Sequence, residues 1–214
     1  MRCDMLPQRL TAVLLSLPLL SIIFVSVRYW IGFGREGRSG SGRHNVSYNK
    51  FFLALLAVGY FSIWPLWVVG IVFLFLNRYY SAFDFATFLL PMTSFMQVVG
   101  LIVLYIGSVF FTWAISFAGK YLRPSISGVY TEHKLVQDGP LGIVQHPYYV
   151  SYVLILVGLS LTLAIPWSLV FVLCVLIGMG PTARAEEEQL TTLFGEEYQQ
   201  YRNRVGRFFP RLLG

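Results

Sequence analysis

Residues 148–181 have the sequence YYVSYVLILVGLSLTLAIPWSLVFVLCVLIGMGP, which is two uncharged apolar segments separated by one proline. Tyr148–Ile165 and Trp167–Pro181 are each slightly short for one membrane span, and together they exceed one. Pro166 removes a helical N–H donor and clashes with the preceding turn. We therefore predict a tight helical hairpin over residues 148–181. The alternative is one long helix with a kink at Pro166.

The composition of the whole chain extends this membrane interpretation. The chain is 56% hydrophobic and 12% charged, whereas a soluble domain has about 25% charged residues. Three further uncharged runs precede the hairpin, namely Leu10–Val27, Phe51–Leu76 and Phe85–Ala118. The first run ends at Arg28 beside aromatic residues, without a small-residue cleavage site, so we expect a retained span. The fold class predicted is an all-α integral membrane protein with about five transmembrane helices.

The distribution of charge predicts the orientation. The loop 28–50 carries five basic residues and one acid, Glu36, and basic loops lie preferentially in the cytoplasm. With five spans, residues 119–147 and the tail 182–214 are then also cytoplasmic. The net charge of +6 lies beside spans and indicates topology, not nucleic-acid binding. We divide the chain into N-terminal spans, 1–118, and a functional core, 119–214.

Three short patterns elsewhere carry no function in this interpretation. The segment Gly32–Gly37 fits G-x-G-x-x-G, but a membrane helix precedes it where a dinucleotide site needs a strand. The glycosylation pattern at Asn45–Ser47 falls in a loop predicted to be cytoplasmic. Cys3 and Cys174 are far apart, and no zinc-ligand spacing is present, so we predict neither a disulfide framework nor a metal site.

A dense polar stretch, EHKLVQDGPLGIVQHPYYVSY at residues 132–152, adjoins the hairpin. Pro147 suits the first turn of a helix, which places His146 at a helix N-terminus at the membrane surface. A histidine there can donate a hydrogen bond to a carboxylate. The alternative is a capping or interfacial histidine without a functional role.

The tail carries a stripe of apolar and aromatic residues headed by one acid. Helical spacing aligns Glu187, Leu190, Thr191, Phe194, Tyr198, Tyr201 and Val205. A buried carboxylate needs a partner, and the candidates are His133, Lys134, His146 or a bound cation. We therefore expect the tail to fold back onto residues 119–147 and close a polar pocket. The alternative is an amphipathic helix that lies on the membrane surface.

Two blocks around the hairpin, HKLVQDGPxxxVQHPYY and AEEEQLxxxFGEEYQQYxxxVxRFFP, resemble the isoprenylcysteine carboxyl methyltransferase family and related membrane phospholipid methyltransferases. The resemblance covers residues 132–210. It implies S-adenosylmethionine bound between loop, hairpin and tail, with a lipid or prenylated substrate entering from the bilayer. The cofactor-binding residues that it implies are His133, Lys134, Leu135, Val136, Gly139, His146, Tyr149, Glu187, Tyr198, Tyr201 and Arg207. Pro210 matches the end of the same tail motif.

The sequence departs from the family pattern at three positions. Gln145 stands where most members have arginine, Leu141 where many have tyrosine, and Ser151 where glycine is common. An arginine can bind a carboxylate through two parallel hydrogen bonds, and a glutamine cannot. The departure at Gln145 therefore favours a methyl acceptor other than a carboxylate, and methyl transfer is better supported than any one substrate.

The leading functional hypothesis is an integral-membrane methyltransferase that holds S-adenosylmethionine on the cytoplasmic face. Positioning is expected to supply most of the rate in such a reaction. A base would serve an amine or thiol acceptor and not a carboxylate, and no residue is predicted to be a dedicated base. One alternative is a membrane reductase with a nicotinamide cofactor, for which the chain lacks further phosphate-binding motifs. The other is a non-enzymatic membrane protein or small transporter, which would be expected to carry charges inside its spans.

Overall fold

The computed structural model describes residues 6–35, 48–82, 94–118, 122–125, 128–131 and 135–211. In chain order its elements are α1 (Gln8–Arg35), α2 (Lys50–Phe75), α3 (Tyr79–Ala82), α4 (Ser94–Ala118), β1 (Leu122–Ser125), β2 (Gly128–Thr131), α5 (Pro140–Ile143), α6 (Pro147–Thr162), α7 (Leu169–Phe194) and α8 (Glu196–Arg204). The predicted all-α membrane class is confirmed. The described chain adds one short antiparallel hairpin, in which Leu122 pairs with Thr131.

Four of the described helices are long and apolar enough to cross a membrane, namely α1 over Gln8–Arg28, α2, α4 over Ser94–Phe117, and α7. The fourth of the five predicted spans, Tyr148–Ile165, corresponds to α6, which has 16 residues and is about 24 Å long. That is shorter than the hydrocarbon core of a bilayer, about 30 Å. The protein is therefore a multi-pass membrane protein in which α6 is a short apolar helix.

Glycines allow α6 to pack closely against α4. A β-carbon at Gly158 of α6 would overlap the main-chain nitrogen of Leu104. Gly100 and Gly107 on α4 face α6 in the same way, with neighbouring backbone atoms 2.7 and 2.9 Å from where a β-carbon would lie. Small residues at helix contacts in membranes let backbones approach closely. This contact fixes α6, and with it His146, against α4.

The predicted break at Pro166 is present, and the two segments form a hairpin. Ala164 has a φ of 54°, and Pro166–Ser168 form a 3₁₀ turn before α7. Ser168 Oγ at the start of α7 hydrogen-bonds Ser160 Oγ near the end of α6, at 2.6 Å. Tyr149 at the start of α6 reaches Glu186 far along α7. The two helices are therefore antiparallel, and the kinked single helix is excluded.

The N-terminal helices pack around this hairpin through apolar side chains and a few buried hydrogen bonds. Trp67 Nε1 of α2 donates to the carbonyl of Leu15 in α1 at 3.2 Å. Gln97 of α4 donates to the carbonyl of Thr162 at the end of α6, at 3.0 Å. These bonds satisfy backbone carbonyls at membrane depth, where water is not available to do so.

The tail differs from the single helix that the stripe suggested. Helix α7 continues through Pro181 to Phe194, so Glu187 lies on the extension of a membrane helix. Gly195, with a φ of 54° and a ψ of −122°, ends α7, and α8 begins at Glu196. This backbone conformation is accessible to glycine and strained for other residues. The chain therefore changes direction in the middle of the predicted stripe.

Candidate functional site

The segment after α8 returns to the N-terminus of α6. Val144 forms a parallel β-bridge with Gly206. The main-chain nitrogen of Gln145 donates to the Gly206 carbonyl at 2.9 Å, and that of His146 donates to the Arg207 carbonyl at 3.2 Å. A β-carbon at Gly206 would overlap the carbonyl oxygen of Phe209. This short bridge fixes the tail beside His146, in agreement with the predicted fold-back onto the loop before α6.

Glu187 is the centre of a buried ionic cluster. Its side chain is 3% exposed. Arg207 holds it with two nitrogens, Nε at 2.6 Å from Oε1 and Nη2 at 2.6 Å from Oε2. His146 Nε2 lies 3.1 Å from Oε1, and Arg202 Nη2 lies 3.8 Å from Oε2. Of the partners predicted for Glu187 from the sequence, His146 is in contact with it. Arg207 is a partner that was not predicted.

Glu186 occupies the other side of the same histidine. Tyr149 Oη donates to Glu186 Oε1 at 3.0 Å, and His146 Nδ1 lies 3.4 Å from Glu186 Oε2. The imidazole therefore sits between two carboxylates, one facing each ring nitrogen. The rings of Tyr149 and Phe208 each have their centroids 5.6 Å from the imidazole centroid. An acidic pair and aromatic faces thus surround one histidine.

The protonation of His146 follows from these contacts. Burial of the imidazole lowers its pKa, but hydrogen bonds and charges from Glu186 and Glu187 outweigh burial, so the pKa of His146 is raised above its ordinary value of 6.5. The protonated ring can donate one N–H to each carboxylate. In its protonated form His146 therefore holds two acids together.

A small apolar cluster supports the ionic one. Leu135, Tyr198, Tyr201 and Val205 are buried together, with Leu190 and Phe194 packed against them. The Tyr201 hydroxyl donates to the carbonyl of Leu141 at 2.7 Å, and burial raises the pKa of Tyr201. The hydroxyl therefore stays protonated as a donor. The stripe predicted from helical spacing is the face that packs on the loop, although the helix breaks within it.

The residues implied by the resemblance fall into two groups. His146, Tyr149, Glu187 and Arg207 meet in the ionic cluster, whereas Leu135, Tyr198 and Tyr201 form the apolar cluster. Val136 is half-buried beside Leu135, and Gly139 has a φ of 61° where the chain turns into α5. His133 and Lys134 lie outside the described residues.

Glu186 and Phe208 were missed from the sequence. Glu186 is one of three consecutive glutamates, and the sequence alone does not distinguish it from Glu188. Its role follows from the structure, in which His146 lies between Glu186 and Glu187. Phe208 lies beyond the helical stripe, in the segment that the β-bridge brings back. No periodic signal could have found either contact.

Three side-chain polar atoms are buried without a partner in the described part of the chain. They are Gln145 Oε1 and both carboxamide atoms, Nε2 and Oε1, of Gln189. Gln145 adjoins His146, and Gln189 follows the acidic pair on α7. Buried polar atoms are normally paired, so unpaired ones indicate where a ligand or water belongs.

The fold and this cluster define a multi-pass membrane protein with an acid–histidine–arginine site at one end of its helices. Residues 98–192 match the model of the isoprenylcysteine carboxyl methyltransferase family. This match confirms the family resemblance predicted from the sequence. It includes α6, most of α7 and the acidic pair, and the part of the tail that carries Arg207 lies beyond it.

Curated relatives agree with the family match. Two rice proteins, from Oryza sativa subsp. indica and subsp. japonica, are each described as a probable protein-S-isoprenylcysteine O-methyltransferase. Each is 31% identical to this chain over 118 residues, which is 54% of this chain and 62% of the relative. The matched region thus covers less than two thirds of these relatives.

Proposed function

We propose that the chain is an integral-membrane methyltransferase that uses S-adenosylmethionine and acts on a lipid or lipidated acceptor. The observation that carries the proposal is the buried Glu187, held by His146 and Arg207 where the tail closes on α6. The family match and the rice relatives support the same reaction class, and the relatives' description makes a prenylated cysteine carboxylate one candidate acceptor. The division into spans, 1–118, and core, 119–214, stays a prediction.

The residues present fit this cofactor. Its amino-acid portion carries an ammonium and a carboxylate, for which Glu187 and Arg207 are complementary partners. Its adenine offers a donor beside an acceptor, and the unpaired carboxamide of Gln189 has the same two functions. Its sulfonium is favoured by aromatic faces such as Tyr149 and Phe208. When bound, the cofactor supplies an electrophilic methyl group.

The protein's own contribution in this proposal is positioning. Arg207 and His146 fix the Glu187 carboxylate, and the main-chain bridge at Gly206 fixes Arg207 and His146 relative to each other. The tail covers this end of α6 and α7 and shields Glu187 from water. An acceptor enters along the apolar surfaces of the spans, and no side chain is assigned as a base.

Purified protein in detergent tests the proposal by titration with S-adenosylmethionine and, separately, with NADPH. We expect saturable binding of the methyl donor and none of the nicotinamide. Binding of NADPH alone would favour the reductase, and binding of neither would favour a non-enzymatic protein.

We place this site on the cytoplasmic face, because the loop 28–50 is basic. A cysteine introduced at the exposed Gln200 of α8, in a variant whose Cys3 and Cys174 are replaced by serine, tests the orientation in intact cells. We expect labelling only by membrane-permeant reagents. Labelling by an impermeant reagent from outside would reverse the orientation.

A further inference from the structure

Close helix packing directs the start of α2 toward the acidic end of α7. A β-carbon at Gly59 of α2 would overlap the side chain of Val175, and one at Gly178 of α7 would lie 2.7 Å from the carbonyl oxygen of Phe52. The contacts therefore move toward the N-terminus of α2 as they move toward the C-terminus of α7, so the two helices are antiparallel. The segment that precedes α2 consequently approaches the turn of α7 that carries Glu186.

Tyr48 lies in that segment and is in hydrogen-bonding contact with Glu186. Its side chain is half-buried. Burial, followed by the charge and the hydrogen bond of Glu186, raises the pKa of Tyr48, so the hydroxyl keeps its proton and donates a hydrogen bond to the carboxylate. Tyr149 Oη donates to the same side chain at 3.0 Å. Two tyrosine hydroxyls, one preceding α2 and one on α6, therefore hold one carboxylate.

Glu186 in turn orients the histidine of the ionic cluster. His146 Nδ1 lies 3.4 Å from Glu186 Oε2, and Nε2 lies 3.1 Å from Glu187 Oε1. The partner of one ring nitrogen fixes the orientation of the imidazole and the hydrogen that the other nitrogen presents. The Glu186 side chain is 23% exposed, whereas that of Glu187 is 3% exposed, so Glu186 is the carboxylate with room to rotate away from the ring. Hydroxyl donors that hold Glu186 therefore also hold the contact between His146 and Glu187.

We infer that Tyr48 is a positioning residue of this site, which acts through Glu186 and His146 on Glu187. The inference rests on the proposed binding of S-adenosylmethionine and adds to it a residue from the N-terminal part of the chain. Tyr48 lies outside residues 98–192, which match the family model, and outside the predicted core, 119–214. The segment before α2 therefore completes the site, and the matched region does not contain all of it.

A double-mutant cycle tests whether Tyr48 acts through Glu186. The affinity for S-adenosylmethionine is measured by calorimetric titration of the full-length protein in detergent, for Tyr48→Phe, for Glu186→Ala and for the double variant. Tyr48→Phe keeps the ring and removes the hydroxyl, and it should weaken binding about threefold to tenfold, because Tyr149 and His146 still hold the carboxylate. In the Glu186→Ala background the same change should alter the affinity less than about twofold, because residues that act through one contact are not additive.

The His146 ring reports the same contact without any ligand. Protein with isotope-labelled histidine is measured by NMR in the absence of S-adenosylmethionine, and His146→Asn identifies the ring resonances of His146. We expect Tyr48→Phe to shift these resonances in the wild-type background and to leave them unchanged in the Glu186→Ala background. Tyr105→Phe, which removes a hydroxyl that joins α4 to α1, is the matched control for both measurements and should behave as the wild type.

Two results overturn the inference while the proposed function stands. Equal losses of affinity from Tyr48→Phe in both backgrounds would show that the hydroxyl only supports the packing of α2, and a Tyr48→Phe variant with the affinity of the wild type would show that it has no role in binding. Unchanged His146 resonances in Tyr48→Phe also overturn the inference, and they decide it where Glu186→Ala abolishes binding. A wild-type protein that does not bind S-adenosylmethionine overturns the proposed function, and the role of Tyr48 in that site with it.

Discussion

Arg207 binds Glu187 through two nitrogens, each 2.6 Å from a different carboxylate oxygen. The two residues are 20 positions apart, and the reversal at Gly195 and the β-bridge at Gly206 bring them together. Bidentate pairs of this kind combine strength with a fixed geometry. The ion pair therefore joins the extension of a membrane helix to the segment that closes the site.

Replacing Arg207 should loosen the tail without affecting membrane insertion. In Arg207→Ala the buried Glu187 keeps only His146 and the more distant Arg202, and breaking a buried pair costs about 3–5 kcal/mol. We expect a lower unfolding temperature in detergent and faster proteolysis after α7. Arg184→Ala, at an exposed position on α7, is the matched control. Equal stability of the two variants would contradict the assigned role of the pair.

Glu187 and His146 should matter for the binding of S-adenosylmethionine. Glu187→Gln keeps the shape and removes the charge, and His146→Ala removes a donor. Loss of a hydrogen bond to a charged group costs about 1.5–3 kcal/mol, which is about one to two powers of ten in affinity. Calorimetric titration measures the affinity for S-adenosylmethionine, and Glu196→Gln, on the exposed side of α8, is the control. The same affinity in all three variants would show that neither Glu187 nor His146 contributes to the binding of S-adenosylmethionine.

The stability supplied by His146 should depend on pH. Its folded-state pKa is raised above 6.5, so the folded state holds the proton more tightly than the unfolded chain does. This contribution is fully present below about pH 6.5 and is lost as pH rises through the folded-state pKa. We expect the difference in unfolding temperature between the wild type and His146→Asn to shrink from pH 6 to pH 9. A difference that grows over this range would show that the folded-state pKa is lowered.

The contact between α4 and α6 should not tolerate a larger residue at Gly158. A β-carbon there overlaps the backbone of Leu104, and forced overpacking costs about 1–3 kcal/mol. Gly158→Ala should therefore lower the unfolding temperature. Gly180→Ala in α7 is the control, since no atom beyond its chain neighbours and its own helical backbone lies within 4 Å of the added carbon. A neutral Gly158→Ala would show that the two helices can separate without cost.

Removal of the chain after Gly195 should abolish binding of S-adenosylmethionine. The truncation leaves α7 complete and removes Tyr198, Tyr201 and Arg207, and with them the cover over Glu187. We expect normal insertion of the spans, measured by fractionation of membranes, and no saturable binding of the methyl donor. A truncated protein with wild-type affinity would rule out a site closed by the tail.

The sequence predicted what depends on local pattern. The lengths of the uncharged segments predicted the membrane spans, and Pro166 predicted the hairpin. Helical spacing predicted the buried face that includes Glu187 and Tyr201. The partner of Glu187 was only partly predicted, because Arg207 reaches it through a chain reversal that helical spacing does not encode. The sequence also indicated that the first half of the hairpin is slightly short for a span, but it did not predict that α6 ends at Thr162, since apolar composition continues into the turn at Leu163 and Ala164.

The β-bridge between Val144 and Gly206 has a consequence for the order of assembly. Every helix in the described part of the chain precedes Gly206, so translation of these helices is complete before Arg207 leaves the ribosome. The spans can therefore enter the bilayer while Glu186 and Glu187 still face water. Insertion and completion of the site are then separate events in time, and an interrupted synthesis would leave a correctly embedded protein with an open acidic surface.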